Sequence, residues 1–210
     1  MADSSTAPRR RYDNRARMQK AAQTRERIVA AGSELVHEFD SWDWRGLTFR
    51  AVAARAGVGE RTVYRHFPTE RHLHDAVMAR LEAEAGVSYQ DVDLDNLGAV
   101  TARVFASLQR FAVRESVPTP NDSAFVSSDQ RRREALLRAV ATARPDLAHA
   151  QRHTMAGLLD VLWSPASYER LVSGWGLGGE DATRAIEWLM SQVVRAIEHG
   201  DGTPCVTSVP

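Results

Sequence analysis

The residues best placed to do chemistry in this 210-residue chain run from position 60 to 67, in the order Glu-Arg-Thr-Val-Tyr-Arg-His-Phe. At ~100° per residue of helix, Val63 and Phe67 fall on one side. Arg61 and Arg65 fall roughly opposite, with Thr62 beside them and Tyr64 and His66 on the flanks. A guanidinium offers a fork of donors that fits the edge of guanine. Hydroxyl, phenol and imidazole groups suit phosphate oxygens, which position a protein on a duplex without reading sequence. Taken alone, the segment fits equally an amphipathic surface helix with solvated charges.

The flanking residues show what positions this helix. Thr48 is a candidate N-cap for a short helix whose Val52, Ala53 and Ala56 face inward. Gly57 stands where a left-handed residue ends a helix and reverses the chain. Val58 plugs the turn, Gly59 opens the helix over 60–67, Pro68 stops it, and Thr69 starts the next. Two helices joined by so tight a turn make a helix-turn-helix, whose second helix enters the DNA major groove. Ahead of it, Ile28, Ala31, Leu35, Val36 and Phe39 form the apolar stripe of a first helix. The connection over 40–46 holds Trp42 and Trp44, expected to pack under the domain.

The segment over about 24–81 resembles the DNA-binding domain of the TetR family of bacterial repressors. The residues that carry the resemblance are the first helix over 28–39, Val52-Ala53, Ala56-Gly57-Val58, and Thr62-Val63-Tyr64-Arg65-His66-Phe67. The resemblance implies DNA contacts from Arg50, Arg61, Thr62, Tyr64, Arg65 and His66. The family usually carries a phosphate-touching Lys at the start of the fourth helix. Here that place is Glu70, followed by Arg71, so either Arg71 takes over or this chain forgoes that phosphate. The connection over 40–46 is also a couple of residues longer than the family's.

The chain has 27 basic and 27 acidic residues, unevenly spread. Residues 1–80 hold 15 Lys/Arg against 10 Asp/Glu, and residues 81–210 hold 12 against 17. Such segregation points to one half that meets a polyanion and another that does not. Much of the excess lies before the domain, where Arg9, Arg10, Arg11, Arg15, Arg17 and Lys20 surround a single Asp13. Residues 1–23 read as a disordered basic arm that either follows the DNA minor groove or is merely solvated. Cys205 is the sole cysteine, so no disulfide within the chain is possible, which fits a reducing cytoplasm. No apolar run reaches signal-peptide or membrane-spanning length.

Beyond 69, the apolar spacing predicts a linking helix over 69–85, an acidic connector over 86–96, and a helix carrying Leu97, Val100, Val104, Leu108 and Phe111. A loop follows over 117–128, then helices over 131–143 and 146–163. The latter turns Leu147, Thr154, Leu158 and Leu162 to one side. Ser164-Pro165 opens another helix, to 173. Residues 174–179 break the pattern, and the last helix spans 181–199 before Gly200. No run alternates like a strand. The expected fold is all-α: a three-helix helix-turn-helix domain over 24–68, a linking helix over 69–85, a ligand-binding and dimerisation domain over 86–200, and a disordered tail over 201–210.

The stretch over 158–197 also resembles, more loosely, the family's C-terminal half, where the last two long helices pair with their symmetry mates in a four-helix bundle. That implies a homodimer with Ile186, Leu189, Met190, Val193 and Ile197 at the interface. The same resemblance implies a small-molecule effector and repression of a palindromic operator. Phe105, Leu108, Gln109, Phe111, Phe125, His153, Met155, Trp163 and Tyr168 are the candidate ligand contacts, and each could equally be core. Asp146, His149, His153 and Asp160 share a helical stripe, but one solvated stripe lacks the second shell of a metal site, so no metal is expected. No phosphate loop or nucleophile motif appears, so neither catalysis nor a cofactor is expected. The alternatives are an all-α enzyme or metal sensor with an incidental helix-turn-helix, or a dimeric adaptor that has lost DNA binding.

Overall fold

The computed structural model describes residues 14–40, 44–109, 111 and 126–200. Their helices are α1 (Asn14–His37), a 3-10 turn (Trp44–Gly46), α2 (Phe49–Ala56), α3 (Glu60–His66), α4 (Glu70–Glu84), α5 (Leu97–Leu108), α6 (Val126–Ala143), α7 (His149–Trp163), α8 (Pro165–Glu169) with a π-helical turn (Arg170–Gly174), and α9 (Gly179–His199). No strand occurs among the described residues. The fold is all-α.

α1 packs across α2 and α4. Its crossing with α4 needs a glycine: a Cβ on Gly32 would lie 2.5 Å from Val77 Cγ2. Ile28, Val36, Val52, Val63, Phe67, Leu73 and Val77 fill the core this creates. The core does not end there. Met78 and Leu81 on α4 belong to the same packed cluster as Phe105, Leu108, Phe111, Tyr168, Ala182 and Ile186. A second cluster joins α5, α6, α7 and α9 through Leu97, Leu136, Val140, Leu159, Trp163, Met190 and Ile197.

Polar contacts fix both faces of α4. Toward α6, Asp75 accepts from Ser127 Oγ at 2.8 Å, and Glu82 accepts from Arg131 Nη2 at 2.8 Å, from Tyr89 OH at 3.2 Å, and from Ser128 Oγ. Burial, then the Glu82 carboxylate, pushes the Tyr89 phenol up to about 12, so it remains a donor. Toward α1, Glu84 accepts from Ser33 Oγ at 2.9 Å and meets His37 Nε2 at 3.0 Å.

Three expected boundaries move. Residues 14–23 are helical, whereas the sequence pattern predicts a disordered arm over 1–23. Residues 15–23 bury no side chain fully and so carry no apolar period, yet their Ala, Arg, Gln and Lys propagate a helix readily. α6 starts at Val126, not 131, because Ser127 and Ser128 are held by α4 carboxylates rather than left in a loop. α7 starts at His149, not 146: Asp146 is bound by Arg144 at 2.6 Å, and Gln151 Oε1 accepts from the Ala148 N–H at 3.0 Å, which caps the helix there. Arg9, Arg10, Arg11, Trp42, Phe125 and the tail over 201–210 lie outside the described residues.

Candidate nucleic-acid interface

The α2–α3 unit is assembled from local rules. Thr48 Oγ1 accepts from the Ala51 N–H at 3.2 Å and starts α2. Gly57 has φ 62°, a left-handed conformation that only glycine takes at little cost. From this turn the Val58 N–H donates back to Ala53 O at 3.1 Å. α3 then starts after Gly59, with Val63 and Phe67 fully buried beneath it.

That anchorage leaves Arg61 and Arg65 exposed on α3, with Thr62 half-buried beside them. Tyr64 is exposed, and its ring meets Phe49 edge-on at 4.4 Å between centroids, so the phenol sits on a fixed ring. Arg50 and Arg71 are exposed at the starts of α2 and α4. These side chains come from two helix starts, of α2 and α4, and from the exposed face of α3. They can grip base edges and phosphates together.

His66 is placed differently from its neighbours. It is half-buried, and its Nε2 is enclosed with no hydrogen-bond partner. Burial, then the Arg65 and Arg25 charges, hold its pKa below 6.5. It is therefore mostly neutral at pH 7 and offers a donor rather than a charge.

Glu70 takes a structural role that the sequence did not disclose. Its Oε1 accepts from the Phe49 N–H at 3.3 Å, satisfying one of the free donors at the start of α2. The two residues are 21 positions apart, beyond any local capping pattern. Four residues on, His74 Nε2 donates to Leu47 O at 2.8 Å, and its ring meets Trp44 edge-on at 5.7 Å. Trp44 is thus buried under the domain, as expected.

An open cavity of about 550 Å³ lies between the end of α5, the α8 segment and the start of α9. Gln109, Phe111 and Tyr168 line it, together with Val172, Ser173, Gly179 and Glu180. Phe105 lies behind, stacked on Tyr168 at 5.1 Å between centroids, and Leu108 is buried in the same cluster. The remaining described candidates are elsewhere. Met155 and Trp163 fill the second core, and His153 is on the surface against His149 at 4.3 Å. Val172 and Gly179 carry no aromatic or polar group to single them out, and Ser173 and Glu180 sit at the predicted helix break and helix start, where polar residues are ordinary.

The expected dimer stripe divides in two. Ile186, Met190 and Ile197 are buried within the protomer and cannot meet a partner. Leu189 is 43% exposed and Val193 half-buried. The large exposed apolar side chains nearby are Trp188 on α9 (65%) and Leu158 (43%) and Val161 (62%) on α7. α7 therefore packs inward through Met155, Ala156, Leu159 and Trp163, not through Leu158. Of the four residues that share the acidic and histidine stripe, Asp146 is bound to Arg144 and Asp160 to Arg132 at 2.7 Å.

Among the described residues no helix is long and apolar enough to cross a membrane. No curated protein matches the chain. Residues 34–77 match the family of bacterial regulatory proteins, tetR family. This stretch runs from the last turn of α1 through the helix-turn-helix into α4. By that match residues 34–77 are similar to the DNA-binding domain of the TetR family of transcriptional regulators.

Proposed function

We propose that the chain acts as a homodimeric repressor of a palindromic operator and is released by a small, largely apolar effector. The observation that carries this is the division of α3. Val63 and Phe67 are locked in the core, which holds Arg61 and Arg65 outward on a rigid element. In this reading the two arginines meet guanine edges, while Thr62, Tyr64, Arg50 and Arg71 meet phosphates. His66 contributes at most a neutral hydrogen bond.

Two features support the remainder. Leu158, Val161, Trp188 and Leu189 give α7 and α9 a second apolar side. A second copy laying the same helices against them would bury it by a two-fold operation and supply the second half-site. The cavity walls Phe111 and Tyr168 share one packed cluster with Val63 and Phe67 of the DNA-binding domain. A ligand that fits one packing of that cluster better than another would bias the setting of α3. The protein works in this reading in the cytoplasm, on chromosomal duplex.

Selection of bound duplexes from a random library is the test. Recovery of a palindrome with half-sites about one helical turn, ~34 Å, apart supports the reading. Recovery of no preferred sequence overturns it.

A further inference from the structure

We infer that residues 14–23, the overhang of α1, form a second DNA-contacting surface: a stiff basic rod that lies on phosphates beside the major-groove contact. This rests on the DNA-binding reading above and extends it. The first fully buried residue of α1 is Ile28, and every residue over 15–23 is exposed. An isolated helix of that length is marginal in water, so it persists by propagation from the packed part of α1.

Its composition fits a polyanion. Over 14–27, Arg15, Arg17, Lys20, Arg25 and Arg27 stand with only one acidic residue, Glu26, and that carboxylate is engaged by Arg80 at 2.5 Å. At ~100° and ~1.5 Å per residue, Arg17, Lys20, Thr24 and Arg27 share one side over ~15 Å. That length can meet more than one phosphate, since a duplex carries a charge every ~1.7 Å of axis. The root of the overhang lies against the end of α3: the Arg25 guanidinium sits 4.9 Å from the Phe67 ring, and its charge acts on His66. Charge and continuity thus both select duplex DNA over an acidic protein as the occupant. A helical rod, unlike an extended arm, cannot thread the minor groove, so its contribution is sequence-independent.

The test compares the full chain with R17Q/K20Q/R27Q, which removes charges at exposed positions, and with Ala21→Pro, which keeps the charges and breaks the rod. Each is titrated against an operator recovered by selection and a random duplex over a range of salt. The triple variant is expected to weaken both duplexes by the same factor and to lower the salt slope by about 0.9 for each phosphate it no longer neutralises. Ala21→Pro is expected to lose part of the same slope. A parental slope in the triple variant overturns the surface, and a parental slope in Ala21→Pro alone overturns the rod. Weakening confined to the operator overturns a phosphate contact. Failure of the parent itself to bind any duplex overturns this inference together with the DNA-binding reading.

Discussion

The Glu70 carboxylate accepts from the Phe49 N–H at 3.3 Å, so an acid at the start of α4 closes the start of α2. The position is the one where the family's usual Lys touches phosphate, and its charge is here reversed. Two consequences separate on substitution. Glu70→Gln keeps an acceptor for Phe49 and removes a negative charge beside Arg71, on the side proposed to meet DNA. Stability should change little, while affinity for random duplex rises and its salt slope steepens. Glu70→Ala should cost about 1 kcal/mol through loss of the cap. Thermal unfolding and duplex titration together check both, and equal DNA affinity in parent and Gln variant would show that the charge is idle.

Arg61 and Arg65 are tested by single alanine variants. If each holds a guanine in bidentate fashion, each should cost about 1–3 kcal/mol on the operator and relax preference at one base pair. Tyr64→Phe keeps the ring on Phe49 and removes the hydroxyl, so it should weaken all sequences alike. Unchanged operator affinity in both arginine variants would sink the assignment.

The elements set by short-range rules were legible in the sequence. Thr48, Gly57, Gly59 and Ser164 declare helix ends by their own chemistry, and the Ile28 to Phe39 stripe declares a face. What depended on a distant neighbour was not. A wide apolar stripe on the last helix does not say which half meets its own domain, and Ile186, Met190 and Ile197 turned out to be core. Spacing alone favoured a side of α7 whose Leu162 does pack against the cores but whose Leu158 is exposed. The Glu70 cap and the Ser127 and Ser128 contacts to α4 join residues far apart in sequence, and no periodicity reports them.

Stability should fall with acid in two windows. The folded His66 pKa lies below 6.5 because of burial and then Arg65 and Arg25, so the unfolded chain takes the proton first. The neutral imidazole's contribution is present above pH ~6.5 and is lost as pH drops from there toward the folded value. For Glu84, burial acts to raise the pKa, but hydrogen bonds from Arg80, His37 and Ser33 outweigh it and bring it below 4.5. Its contribution is present above that value and is lost as pH falls through the folded pKa. Denaturant titrations across pH should show the first slope vanish in His66→Gln and the second in Glu84→Gln. Parallel curves for parent and variants would remove these two groups as the cause.

Charges introduced on the exposed apolar side should separate dimer from fold. Val161→Glu with Trp188→Glu alters residues that are solvated in the protomer, so helicity should be kept while sedimentation shows monomers and operator binding weakens sharply. Ile186→Glu should instead cost about 3 kcal/mol or more of stability, since it buries an unpaired charge. A doubly charged variant that still sediments as the parent dimer would move the interface elsewhere.

The cavity makes the switch testable without knowing the effector. Apolar compounds screened by thermal shift should yield binders that also weaken operator binding, typically by about 1–3 kcal/mol of coupling. By reciprocity the operator must weaken the same compound by the same factor. Val172→Trp should fill the space beside Phe111 and Tyr168 and abolish the compound's shift. Arg61 and Arg65 are on another helix, so the variant should keep operator binding, now insensitive to the compound. A compound that binds Val172→Trp undiminished occupies some other site, and one that binds tightly yet leaves operator affinity unchanged cannot be an effector, because a ligand shifts an equilibrium only by its differential affinity for the two states.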